Sequence, residues 1–153
     1  MNTLPSSSTV LPLRLLAAVV AAFALSGCTI SLVSSYDEVT DKAVQDLAAK
    51  TEAVIADATL NSSSYRKHAS FYTEAQGAIA AIEMRSALYK QNEAEIATLG
   101  RLRTATRNMG RIHQIAGSLR PAEAEGVRSL LRSLIHHQLA KKRSSQILEA
   151  PQS

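Results

Sequence analysis

Tryptophan is missing from this 153-residue chain, aromatic side chains make up only 4%, and there are just six glycines and four prolines. Alanine, leucine and serine dominate instead. Strands favour β-branched and aromatic residues, whereas this composition favours helices that run without interruption. A single cysteine, Cys28, allows no disulfide within the chain. Metal-ligand spacing is also lacking. His136 and His137 are adjacent, so on a helix they point about 100° apart. Neither has a Cys or His three or four residues away, and His68 and His113 belong to separate helices. The Glu-x-x-His pairs of di-iron bundles do not occur. No serine sits in a Gly-x-Ser-x-Gly turn, and no glycines form a phosphate-cradling loop. Glu93 with Glu95, and Glu123 with Glu125, fall at helix starts, where the helix dipole accounts for them. The expectation is therefore a protein without metal, cofactor or catalytic centre, and not an enzyme.

What the chain does contain is a marked amino terminus. Arg14 precedes an uncharged apolar run, Leu15 to Leu25. That run is short of the ~20 residues a membrane span needs, but it suits the core of a signal peptide. Leu25-Ser26-Gly27-Cys28 follows at once. This segment resembles the lipobox of bacterial lipoproteins, in which a branched apolar residue and two small ones precede the acylated cysteine. The resemblance implies cleavage before Cys28, lipidation of its thiol, and stable anchoring by more than one acyl chain. A plain signal peptide with an incidental cysteine, or an uncleaved signal anchor, is the alternative. Thr29 rather than Asp follows the cysteine. By resemblance to enterobacterial sorting, the destination is the outer membrane, with the domain facing the periplasm. The expected layout is a signal peptide over 1–27, a lipidated tether over 28–34, a helical domain over 35–146 and a disordered tail over 147–153. The six residues Thr29 to Ser34 reach at most about 20 Å, which keeps the domain close to its membrane.

Four helices are legible behind the tether. Ser35-Tyr36-Asp37-Glu38 reads as a capping box opening the first. Its apolar stripe runs through Val44, Leu47, Thr51, Val54, Ile55 and Ala58, and Asn61-Ser62-Ser63-Ser64 ends it. In the second, Tyr65, His68, Tyr72, Ala75, Ile79, Ile82, Ser86 and Tyr89 step by three and four, the pattern of a seam facing other helices. Gly77 interrupts this helix, which suggests close approach of another backbone. Asn92-Glu93-Ala94-Glu95 resembles a second capping start. The third stripe is Ile96, Leu99, Leu102, Thr106, Met109, Ile112 and Ala116, closed by Gly117. Pro121 suits the first turn of the fourth helix, whose face is Val127, Leu130, Leu131, Leu134, Ile135 and Leu139. Short turns between long helices predict an all-α, antiparallel, up-down-up-down four-helix bundle. Two long hairpins completing their core by dimerisation are the alternative.

Tyr36-Asp37-Glu38-Val39-Thr40-Asp41-Lys42-Ala43, Phe71-Tyr72 and the ending Gln138-Leu139-Ala140-Lys141-Lys142-Arg143 together resemble a family of small, uncharacterised proteobacterial lipoproteins. The resemblance implies architecture and location, and carries no activity.

Charge is unevenly placed. The overall +4 conceals ten acidic against six basic side chains from Cys28 to Leu99, and ten basic against three acidic from Gly100 onward. Arg103, Arg107 and Arg111 recur every four residues on the third helix, and Arg128 with Arg132 does so on the fourth. Guanidiniums at that spacing share a face and grip phosphates or carboxylates bidentately. One reading pairs them with the acidic first hairpin or leaves them solvated. The other makes them a site for anionic lipid or cell-wall components. In the up-down-up-down order the fourth helix ends beside the anchor, so Lys141, Lys142 and Arg143 would touch anionic headgroups there, or simply complement the helix dipole. The function expected is a membrane-anchored, non-enzymatic binding or structural component of the cell envelope. Its partners are the membrane through Cys28 and an envelope protein or anionic lipid. Nucleic acid is excluded by the compartment.

Overall fold

The computed structural model describes residues 34–149. The signal segment, Cys28 and the last four residues lie outside them. All regular structure among the described residues is helical: α1 (Glu38–Leu60), α2 (Tyr65–Ser86), α3 (Glu93–Ala116) and α4 (Pro121–Glu149). Helix α4 runs three residues past the boundary expected at 146.

Turn chemistry explains most helix ends. Asn61 closes α1 through its amide to the Asp57 carbonyl, 3.1 Å away. Gly117 closes α3 in the left-handed region at φ 76°, which costs glycine no steric penalty. Pro121 opens α4. Two starts differ from the expected capping boxes. Asp37, not Ser35, caps α1: its Oδ2 accepts from the Thr40 amide at 3.3 Å and from the Thr40 hydroxyl at 2.6 Å. Asp37 is an equally good cap, and Arg85 at the end of α2 holds it in place through a hydrogen bond to Oδ1 at 2.9 Å. Asn92 precedes α3 but makes no side-chain cap, because its Oδ1 accepts from Lys141 Nζ at 2.6 Å instead.

Packing follows the apolar stripes. Helix α1 packs against α2 and α4, α2 against α3, and α3 against α4, whereas the two diagonal pairs do not approach. The arrangement is a four-helix bundle around one core. Val44, Ile55, Ile79, Leu99, Leu102, Met109, Val127 and Leu134 are all but inaccessible to solvent there. Three expected core positions are corrected. Ile112 and Ala116 are exposed, and His113 takes the inner position of that turn. On α4, Leu139 is exposed while Gln138 and Lys141 are buried. Gly77 is exposed, and a Cβ built on it meets nothing within 4 Å. The close approach falls at Gly110 instead, where a Cβ would lie 2.9 Å from Cδ1 of Tyr72.

Candidate functional site

The arginine faces divide sharply. Arg103 is tied to Glu83 of α2. Arg128 holds Glu52 of α1 with two nitrogens at 2.9–3.0 Å, and the pairing raises its pKa. Arg132 is tied to Glu125 on its own helix. Two of the three thus bind carboxylates of the acidic first hairpin. Arg107 and Arg111 have no acidic partner among the described residues and stand exposed.

These two cations border a groove of about 290 Å³ between α2 and α3. Tyr65, Tyr72, Thr73, Gln76, Thr106, Gly110 and Gln114 complete its lining, which contains no carboxylate. Gln76 is fixed by donating to the Arg103 carbonyl at 3.2 Å. Tyr65 and Tyr72 stack with ring centroids 5.4 Å apart and planes 13° from parallel. Gly110 lets the Tyr72 ring lie directly against the α3 backbone.

Behind the tyrosines sits a buried polar cluster. The fully buried His113 faces the Ser63 carbonyl through Nε2 at 2.8 Å and the Tyr72 hydroxyl through Nδ1 at 2.9 Å. A carbonyl only accepts, so the ring proton sits on Nε2, and Nδ1 accepts from Tyr72. Burial pushes the Tyr72 hydroxyl pKa well up, which keeps that proton in place. His68 lies 5.9 Å from the His113 ring, with its Nε2 2.7 Å from Ser63 Oγ and 2.9 Å from Asp57 Oδ2. The Asp57 carboxyl is held below the usual range by hydrogen bonds from Asn61, Lys67 and Ser63. His113 therefore spends both ring nitrogens, and His68 its Nε2, on the chain itself, joining the α1–α2 turn to α3. Among the described residues, no three His, Cys, Asp or Glu side chains converge as metal ligands.

The basic ending of α4 is not the uniform surface expected of Lys141, Lys142 and Arg143. Lys141 is only 5% exposed. Its Nζ donates to Glu95 Oε2 at 2.5 Å and Asn92 Oδ1 at 2.6 Å. Ser86 and Gln138 also donate to Glu95, at 2.6 and 2.8 Å. A cation committed to this interior network cannot reach a lipid headgroup, which corrects the expectation for Lys141. Lys142 lies 5.7 Å above the Tyr36 ring, and Arg143 is exposed. Extending the α4 stripe from Leu134 by four and seven residues reaches Gln138 and Lys141, so the burial had a periodic signal that polarity masked.

The chain matches no known family model, and no curated protein or solved structure is significantly similar to it.

Proposed function

We propose that the chain is a lipid-anchored protein of the bacterial envelope, cleaved before Cys28, acylated on that thiol, and carrying a non-enzymatic helical domain that acts by binding. The observation that carries this reading is Leu25-Ser26-Gly27-Cys28 placed directly after an uncharged apolar run. Thr29 after the cysteine favours the outer membrane, with the domain facing the periplasm.

An up-down-up-down order for the bundle belongs to the same reading. Arg85 near the end of α2 meets Asp37 at the start of α1. Glu95 at the start of α3 meets Lys141 toward the end of α4, and Lys142 lies over Tyr36 just before α1. The end of α4 then lies beside the start of α1, and in this reading Lys142 and Arg143 meet anionic headgroups, each contributing roughly 1 kcal/mol near such a surface.

The test is the intact mass of the protein from growing cells, compared with a Cys28→Ala variant. Acylated mature chain in the first, and unprocessed soluble or mislocalised chain in the second, is the expected pair. Unmodified Cys28 in mature protein would overturn the anchor. A second reading, an anionic-ligand binder, is favoured by Arg107 and Arg111 standing beside one groove without carboxylate partners among the described residues.

A further inference from the structure

The geometry points to the α2–α3 groove as a binding site for a phosphomonoester, gripped by Arg107 and Arg111. This deepens, and rests on, the reading of the domain as a binding module. The molecule itself shows how its arginines meet carboxylates. One guanidinium, Arg128, takes one carboxylate, Glu52, bidentately. Arg107 and Arg111 instead offer two guanidiniums one helical turn apart, on a lining that carries no negative charge. A phosphomonoester near neutral pH carries about −1.5 to −2 on three acceptor oxygens, which matches two forked cations on one group. A lone carboxylate would leave one of them unmatched.

The remaining walls suit the body of such a ligand. Thr73 and Gln114 are exposed and offer hydrogen bonds. Tyr65, half-buried, adds an aromatic surface to the lining. The rigid stack of Tyr65 on Tyr72, with Tyr72 locked to His113, holds that surface ready. A volume of about 290 Å³ accommodates a phosphoryl group with a sugar-sized substituent, not an entire lipid. Beyond Arg111, Ile115 is 82% exposed, so an acyl chain leaving the groove would also find apolar surface. A soluble sugar phosphate and a phosphomonoester lipid headgroup share the recognised chemistry.

The experiment uses the full lipidated protein in a neutral detergent, with nitrogen-15 labelling to follow arginine side chains by NMR. The probes are glucose 6-phosphate, dihexanoyl phosphatidic acid and dihexanoyl phosphatidylglycerol at low salt. Shifts of the Arg107 and Arg111 side-chain signals with the two phosphomonoesters are expected. Affinity should fall by about tenfold or more in Arg107→Gln or Arg111→Gln, and stay unchanged in Arg132→Gln. Tighter binding of phosphatidic acid than of glucose 6-phosphate supports a lipid source, and equal binding supports a soluble one. Three results overturn the site: no shift at Arg107 and Arg111 with either phosphomonoester, an equal loss in Arg132→Gln, or phosphatidylglycerol, a singly charged diester, binding as well as phosphatidic acid. The wild-type shift map decides the question even if a variant folds poorly. An unacylated Cys28 defeats the anchor and leaves the groove standing, whereas a lipidated protein deaf to these probes defeats the groove alone.

Discussion

Lys141 Nζ lies 2.5 Å from Glu95 Oε2, with the lysine side chain 6% and the glutamate side chain 1% exposed. This ion pair joins α3 to α4 inside the bundle, and Ser86 and Asn92 extend it to the end of α2. Removing one partner from such a pair strands the other charge away from water. Lys141→Ala should therefore destabilise the domain by about 3–5 kcal/mol in urea unfolding. The double change Glu95→Leu with Lys141→Met should recover only part of that loss, because no buried charge remains but Ser86, Gln138 and Asn92 each lose a hydrogen-bond partner. A single variant as stable as wild type would show that water reaches the pair.

Two glycines should respond with opposite sign to the same substitution. Alanine at Gly77 meets nothing, so Gly77→Ala should stabilise by about 0.5–1 kcal/mol through helix propensity alone. At Gly110 the new methyl would press on the Tyr72 ring, and the cost of overpacking, about 1–3 kcal/mol, outweighs that gain. Thermal unfolding of the two variants side by side makes the comparison.

Tyr72→Phe removes the donor that satisfies His113 Nδ1 and leaves that buried nitrogen unpaired. The expected loss is about 1–3 kcal/mol, with little change in ring packing. Nitrogen-15 shifts of His113 in the wild-type protein should report the proton on Nε2. A proton on Nδ1 instead would contradict the bond to the Ser63 carbonyl.

Acid sensitivity should trace in part to Asp37. Hydrogen bonds from Arg85 and Thr40 lower its pKa below the ordinary 3.8. A carboxyl depressed in the folded state contributes stability that is present above the unfolded pKa and is lost as pH falls through the folded one. The stability difference between wild type and Arg85→Met should accordingly be constant near neutrality and shrink below about pH 4. A difference that does not change in acid would remove this pair from the acid response.

Much of the fold was legible locally. Asn61, Gly117 and Pro121 end or open helices through their own backbone chemistry, which neighbours three or four residues away suffice to express. Every α1 position that the periodicity names, from Val44 to Ala58, is buried, and Thr40 with Asp41 extends that face toward the start of the helix. The cap of α1 falls at Asp37, two residues beyond Ser35, because Thr40 and the distant Arg85 both donate to its carboxylate.

The candidate site was legible in type and not in membership. Periodicity alone determined that five arginines lie on helix faces, and composition determined that those helices are the basic ones. Which arginines remain unpaired depends on the rotation and axial offset of each helix against its neighbours. Those quantities set Glu52 opposite Arg128 and Glu83 opposite Arg103, and leave Arg107 and Arg111 without a carboxylate partner among the described residues. The same offsets carried Lys141 from an expected surface into the interior. Sequence by itself thus determined the helices, most of their apolar faces and the lipobox-like motif, since each is written within a few consecutive turns or residues. Tertiary structure alone decided which charges are neutralised and which glycine touches a ring, because those outcomes require side chains far apart in the chain to meet at distances of a few ångströms.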